Sequence, residues 1–240
     1  MSDVRQYFDR GADEFAANYA RADDFAERVR VWRRAIDAAL DSLGYAPCLD
    51  AGCGEGTLGR IVAARGVPTL GIDQSEAMLA LAVRRAQAAN LGNARFERET
   101  VPLSGEFLSR HREAFGLIVC SSVLEYVADW QRALQQFGAM LRIGGELILS
   151  VPNRRSIYRL GERLWRPFVR ESSYLRYQQH QFDPNALCDH LRTLGFDIVH
   201  AEYFALPWQH FTARLCGAQR SSRLATLYLV RARKRGKPAS

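Results

Sequence analysis

Asp50, Gly52, Gly54 and Gly56 stand at alternate positions in the stretch Cys48-Leu49-Asp50-Ala51-Gly52-Cys53-Gly54-Glu55-Gly56-Thr57. Glycine at such spacing lets the backbone turn sharply and come against a ligand with no Cβ in the way. A helix-compatible segment starts at Leu58, and the unpaired N–H groups of its first turn point back at the same spot. A dinucleotide loop runs G-x-G-x-x-G; here the glycines alternate and a carboxylate comes just before them. An acid at that point repels a pyrophosphate but can help hold a cationic amino-acid moiety, directly or through water. About twenty residues on, Val67-Pro68-Thr69-Leu70-Gly71-Ile72-Asp73 reads as a second strand ending in an acid. That is the place of a carboxylate that takes ribose hydroxyls.

Strand and helix patterns alternate from Ala46 onward, which argues for a parallel sheet with right-handed crossovers. Strands are expected near 46–50, 68–73, 94–98, 117–120, 146–151, 196–203 and 224–231. Helices are expected near 56–65, from Ser75 as N-cap to about 90, over 129–142 and over 184–194. The run Leu117-Ile118-Val119-Cys120 is apolar throughout, as in a strand buried on both faces. Ahead of the sheet, residues 3–43 read as helical, with Phe25, Val29, Trp32, Ile36 and Leu40 at three- and four-residue steps and Gly44 ending the segment.

A chain of 240 residues that is 48% hydrophobic suits one sizeable domain. No run approaches the roughly twenty apolar residues of a membrane span. The start, Met1-Ser2-Asp3-Val4-Arg5-Gln6, lacks the apolar region of a secretory signal, so a cytoplasmic location is expected. The five cysteines are scattered with no C-x-x-C pair, which suggests neither a disulfide framework nor a zinc site. The formal charge of +7 comes almost wholly from arginine, since Lys234 and Lys237 are the only lysines. A basic balance can mean nucleic acid, an anionic membrane or acidic substrates, or an arginine-rich codon bias, so where the charge clusters matters more than its total.

The loop at Asp50 to Gly56 resembles the first motif of the class I S-adenosyl-L-methionine (SAM) methyltransferases, and Gly71-Ile72-Asp73-Gln74-Ser75 resembles their second. The stretch from Phe115 to Val127 resembles their strand-four motif, and Leu141-Arg142-Ile143-Gly144-Gly145-Glu146 their turn before strand five. The resemblance covers 46–151, with a weaker echo in 180–203, and is similar to small-molecule and ubiquinone-pathway O-methyltransferases. It implies an α/β, Rossmann-like doubly wound sheet, seven-stranded and mostly parallel, with N-terminal helices and an inserted cap after strand five. It implies SAM as cofactor, met by Tyr19, Asp50, Gly52, Gly54, Gly56, Asp73, Gln74, Met78, Glu99 and Ser121. Tyr19 or Arg21 would reach the methionine moiety. Glu99 would accept from the adenine amino group, or is an ordinary surface glutamate. On the acceptor side the resemblance points to His180, just before a late helix, with His210 as rival.

Two departures stand out. Gly116 replaces a common aspartate at the start of strand four. Tyr126 replaces the histidine of Leu-Glu-His-Val, and a phenol with a reference pKa of about 10 is a poor base near neutral pH. Strand four ends Cys120-Ser121-Ser122-Val123 and not in the Asn/Asp-Pro-Pro-Tyr/Phe of base N-methyltransferases. The cysteine nucleophile of RNA cytosine enzymes, the paired glutamates of protein arginine enzymes and the acidic cluster of magnesium-dependent catechol enzymes are absent as well. A small aromatic or lipophilic acceptor is left, with O-methylation favoured over N- or C-methylation and no metal expected. The sulfonium is already activated, so the protein supplies positioning, exclusion of water and a base.

The most individual stretch is 152–181. It carries Arg154, Arg155, Arg159, Arg163, Arg166, Arg170 and Arg176 against Glu162 and Glu171, with Ile157, Leu160, Leu164 and Phe168 at helical steps. Such a segment reads as a lid over an apolar substrate, as a contact with an anionic membrane surface, or as a solvated helix on its own protein. The chain thus divides into a helical cap (1–45), a SAM-binding core (46–151), the inserted cap (152–181), a closing helix and strands (182–232) and a disordered basic tail (233–240). Two other functions stay open: a SAM-binding regulatory or assembly protein without turnover, and an RNA methyltransferase using the arginine-rich insertion. Nucleic acid is the less favoured partner.

Overall fold

The computed structural model describes residues 23–160, 177–206 and 222–236. Seven strands form one sheet: β1 (Cys48–Ala51), β2 (Thr69–Asp73), β3 (Ala94–Arg98), β4 (Phe115–Ser121), β5 (Leu141–Pro152), β6 (Phe196–Phe204) and β7 (Leu227–Lys234). Their order is β3-β2-β1-β4-β5-β7-β6. The first five strands pair in parallel and β7 runs antiparallel to both of its neighbours. Strand order proceeds one way from β1 and the other way from β4, so a crevice opens at the carboxyl ends of these two strands. This is the Rossmann-like doubly wound sheet that the alternating pattern implies.

Among the described residues the helices flanking the sheet include α1 (Asp23–Leu43), α2 (Thr57–Ala63), α3 (Glu76–Ala88), α4 (Gly105–Arg110), α5 (Trp130–Met140) and α6 (Pro184–Thr193). Side chains alternate across β4, and both faces are covered. Leu117 and Val119 pack with Val31, Trp32 and Ile36 of α1 and Val62 of α2. Ile118 and Cys120 pack with Leu134 and Phe137 of α5 and Leu191 of α6. Burial on both sides explains why the strand is a continuous apolar run. Helix starts follow their caps. Ser75 Oγ accepts from Met78 N, Asp129 Oδ1 from Arg132 N and Asp183 Oδ1 from Asn185 N. The helical reading of 3–22 lies outside the described residues.

Two boundaries differ from the sequence reading. Ile143-Gly144-Gly145 is an irregularity inside β5 and not a turn before it: the register passes from Phe115↔Leu141 to Leu117↔Glu146. The last strand covers Leu227–Lys234 where 224–231 was expected, so the tail expected to be disordered from Arg233 begins with two strand residues. The cause is Glu146, fully buried in β5. Arg231 Nε lies 2.9 Å from its Oε2 and Arg233 Nη2 2.7 Å from its Oε1. A buried carboxylate needs its counter-charges, and these arginines stand two residues apart on one face of β7. Among the described residues no helix is long and apolar enough to cross a membrane.

The glycine at 116 is required by space. A Cβ there would stand 2.3 Å from Ala46 Cβ, whereas a Cβ on Gly92 would meet nothing within 4 Å. Gly116→Ala should therefore lower stability by about 1–3 kcal/mol, the usual cost of overpacking, in urea denaturation. Gly92→Ala should be close to neutral, and equal effects would refute the steric account.

Candidate active site

The glycine loop connects β1 to α2 at the mouth of the crevice. The N–H groups of Gly52 and Cys53 both donate to Ile72 O, at 2.8 and 2.9 Å. Gly54 N donates to Asp73 Oδ2 at 2.9 Å, and Ser75 N donates to Asp73 Oδ1 at 2.9 Å. Glu99 N reaches Asp73 O at 3.1 Å. The ends of β1, β2 and β3 are thereby laced into one wall. Gly52 and Gly54 both sit at positive φ, +73° and +52°, but for different reasons. A Cβ on Gly52 would lie 2.3 Å from Val123 Cγ2, so that glycine admits the chain following β4. A Cβ on Gly54 would meet nothing within 4 Å, so that glycine faces open space.

Asp50 lies beneath the loop, 1% exposed. Its Oδ2 accepts from Gly59 N of α2 at 2.7 Å. Burial pushes its carboxyl up to about 7; the Gly59 N–H opposes the rise, and the charge of Asp73 adds to it. Glu55, which the sequence reading passed over, is 3% exposed and is flanked by the guanidinium groups of Arg60 and Arg85. Its other carboxylate oxygen accepts from the Thr57 hydroxyl. This clamp holds the outer end of the loop. Open space before Gly54, a half-buried carboxylate at the end of β2 and a buried acid near neutrality suit a ligand with a ribose and a cationic amino-acid group. A carboxylate accepts up to about four hydrogen bonds, so ribose hydroxyls fit at Asp73 beside the two amides.

The remaining candidates fall into three groups. Gln74, half-buried, lies at the corner between β2 and α3, and Ser121 at the end of β4. Glu99 is half-buried and engaged locally, its carboxylate accepting from Thr100 N at 2.7 Å and Ser104 Oγ at 2.6 Å. Met78 is 2% exposed, and its backbone N–H donates to the Ser75 cap. Tyr19 and Arg21, and His210 on the acceptor side, lie outside the described residues.

The candidate acceptor side centres on the 3-10 turn Leu124–Tyr126. Gln179 N and His180 N both donate to Glu125 O, at 2.7 and 3.1 Å, and Gln179 Nε2 reaches Tyr126 O at 3.3 Å. His180 and Tyr126 are thus brought to one place. His111 is sandwiched between Phe107 and Phe115, His190 stands edge-on to Trp130, and His200 faces Glu202; none of these belongs to the turn. Arg28 is the main residue the sequence reading missed. From α1 it donates to Ser121 Oγ at 2.6 Å and Ser122 Oγ at 2.9 Å. No local spacing signals it, because the partners are ninety-three and ninety-four residues away. Among the described residues no group of three or more His, Cys, Asp or Glu is placed to hold a metal ion.

Fold and loop together define a nucleotide-type cofactor site of the methyltransferase kind. A family described as Methyltransferase domain matches residues 20–201. The chain belongs to this family. A ubiquinone biosynthesis O-methyltransferase of Coxiella burnetii (strain Dugway 5J108-111) is 33% identical over 106 residues, 44% of this chain and 43% of that protein. The chain spans about half the length, or less, of the curated relatives it matches. The magnesium protoporphyrin IX methyltransferase of Synechocystis PCC 6803, solved with bound SAH, superposes with a TM-score of 0.71 at 19% identity, covering 97% of this chain and 99% of that one. The 4+2 cyclase SpnF superposes with a TM-score of 0.68 at 18% identity, covering 98% and 96%.

The different surroundings of the two glycines give a test. Gly54→Ala should keep the fold at a strain cost of about 1–2 kcal/mol for an L-residue in the left-handed region, and should weaken SAM binding in calorimetry. Gly52→Ala should lose stability first, and Val123→Ala should restore part of it. Equal loss of stability in both single variants would refute the assignment of Gly54 as the ligand-facing position.

The raised carboxyl of Asp50 gives a second. A cationic ligand favours the ionised acid, so below about 7 SAM binding should release a proton. Affinity should then rise as pH rises through that value and level off above it. Calorimetry in buffers of different ionisation enthalpy reads the release, and Asp50→Asn should remove it. A pH-independent affinity in the wild type would contradict the assignment.

Proposed function

We propose that this enzyme transfers the methyl group to an oxygen of a small aromatic or lipophilic acceptor. The observation that carries the reading is a pair of buried polar atoms at the end of β4. Among the described residues Glu125 Oε2 and His180 Nε2 find no hydrogen-bond partner, and the two residues are joined through His180 N and Glu125 O. Orphaned buried groups of this kind are costly unless something completes them, and an acceptor hydroxyl has the right chemistry to meet His180 Nε2. The likeness to a ubiquinone biosynthesis O-methyltransferase supports oxygen as the methylated atom. SAM supplies an activated methyl group. Asp50, Gly52, Gly54, Gly56, Asp73, Gln74, Glu99 and Ser121 are proposed to hold and orient it. His180 is proposed to hydrogen-bond the acceptor, with Tyr126 shaping the same wall.

The insertion at 152–181 is proposed as the acceptor-side cap and as the place of any contact with an anionic membrane. Its two ends are stapled together. Arg154 N donates to Phe182 O at 2.9 Å, Phe182 N to Pro152 O at 3.0 Å, and Arg155 Nε lies 2.8 Å from Asp183 Oδ2. Where the chain enters the insertion, Ile157, Tyr158 and Leu160 are exposed, by 59%, 48% and 53%. These are apolar side chains that the sheet does not use.

Mass spectrometry of a panel of phenols, amines and carbon acids incubated with SAM tests the reading, with methylation confined to hydroxyls expected. Replacing 161–176 by a short flexible linker should leave SAM affinity intact and abolish turnover. Loss of SAM binding would place the segment in the cofactor site instead. Vesicles of anionic lipid that bind the wild type and the shortened chain equally would exclude the membrane contact.

A further inference from the structure

The end of β4 carries a hydrogen-bonded chain that holding the cofactor does not require. Arg28 Nη2 donates to Ser122 Oγ at 2.9 Å, and the Ser122 hydroxyl, three residues before Glu125 on the same turn, acts on that carboxyl as a donor would, holding its pKa down. Glu125 is 3% exposed, while Ser122 is half-buried and so is the member that a ligand can touch. A hydroxyl has one hydrogen to give and two lone pairs. With the hydrogen on Glu125 and one lone pair on Arg28, the second lone pair of Ser122 can accept. The residue also sits at φ +53°, a region non-glycine residues seldom occupy and one that concentrates at functional turns. It is held there by Ser122 N donating to Ser150 O at 3.1 Å. Its neighbour Val123 packs on Gly52 of the cofactor loop, so the hydroxyl stands next to the cofactor wall.

We propose that Ser122 and Glu125 form the proton-accepting unit for the acceptor hydroxyl: Ser122 Oγ takes the acceptor's proton as its own passes to Glu125. This rests on the O-methylation reading above. The C–O bond forms as the C–S bond of the donor breaks, and the acceptor's O–H bond breaks with it. Ser122 gains one proton and loses one, and the Glu125 carboxylate ends as a carboxylic acid. The positive charge of the sulfonium and the negative charge of the carboxylate disappear together. Arg28 stabilises the negative charge while it lies on the oxygens between them.

The surroundings of Glu125 suit that role. Burial pushes its carboxyl up to about 7, while its own N–H, Arg28 from α1, Arg159 from the segment 157–160 and the Ser122 hydroxyl hold it from rising further. The segment bearing His180 packs on its backbone carbonyl. A base titrating near the working pH is the most effective kind. Because the acid must be ionised to accept, the rate should rise with pH through about 7 and level off above.

Two probes test the inference: catechol for rates with SAM, and 4-nitrocatechol, whose visible spectrum reports its own ionisation, for binding in the SAH complex. Glu125→Gln and Ser122→Gly should lower kcat on catechol about 10²–10⁴-fold, with SAH affinity and melting temperature kept. Ser122→Gly also eases the backbone, so its loss of rate cannot come from strain at that position. The acidic limb of the pH–rate profile should vanish in Glu125→Gln and survive in His180→Gln. Bound 4-nitrocatechol should be more ionised in the wild type than in either proton-relay variant at the same pH. Wild-type rates and spectra in both variants would overturn the inference alone, as would a limb lost in His180→Gln and kept in Glu125→Gln. Should Glu125→Gln fail to fold, Ser122→Gly decides. A wild type that binds and methylates neither phenol, yet methylates an amine or a carbon acid, would overturn the O-methylation reading and this inference with it.

Discussion

The whole cofactor end depends on one buried acid. Asp50 closes the innermost strand with 1% of its surface exposed, and a charge so placed must find partners inside the protein or from a ligand. Its one backbone partner, Gly59 N at 2.7 Å, draws the first turns of α2 down onto β1. That approach leaves a Cβ at residue 59 only 3.1 Å from the carboxylate. The loop between them must then double back within a few residues, which places Gly52 against Val123 and turns Gly54 toward open space. Asp73 adds a second negative charge nearby, and its Coulomb contribution raises the Asp50 carboxyl further. Two acids at one loop make a site whose chemistry suits a positively charged ligand group.

The same logic explains where the basic surplus goes. Three buried glutamates are each flanked by a pair of arginines: Glu55 by Arg60 and Arg85, Glu146 by Arg231 and Arg233, and Glu125 by Arg28 and Arg159. The first pair clamps the glycine loop and the second ties β7 to β5. The third stands at the acceptor end. Arginine suits such places, since its guanidinium stays charged and its fork serves two acceptors at once. Part of the +7 charge therefore sits in internal ion pairs.

Fold alone does not settle chemistry. The superposition on a methyltransferase and on a 4+2 cyclase is of nearly equal quality, as expected when one scaffold carries unrelated reactions. What distinguishes them must lie in the acceptor wall, here the turn from Ser121 to Tyr126 and the segment 177–182 hydrogen-bonded to it.

The sequence by itself determined the fold class and the cofactor loop. Both are written in local pattern: apolar runs of strand length, a cap at Ser75, and glycines spaced two apart after an acid. Such signals survive in one dimension because the physics behind them is local, lying in backbone dihedrals, first-turn amides and the two-residue period of a strand. Tertiary structure alone decided the acceptor end. Arg28 lies ninety-four residues from Ser122, and no periodicity links a helix before the sheet to a turn after its fourth strand. It also decided the end of the chain: Arg233 reads as the start of a charged tail until Glu146 supplies its counter-charge from eighty-seven residues away. Ion pairing and burial depend on distances in space, and chain spacing carries no record of them.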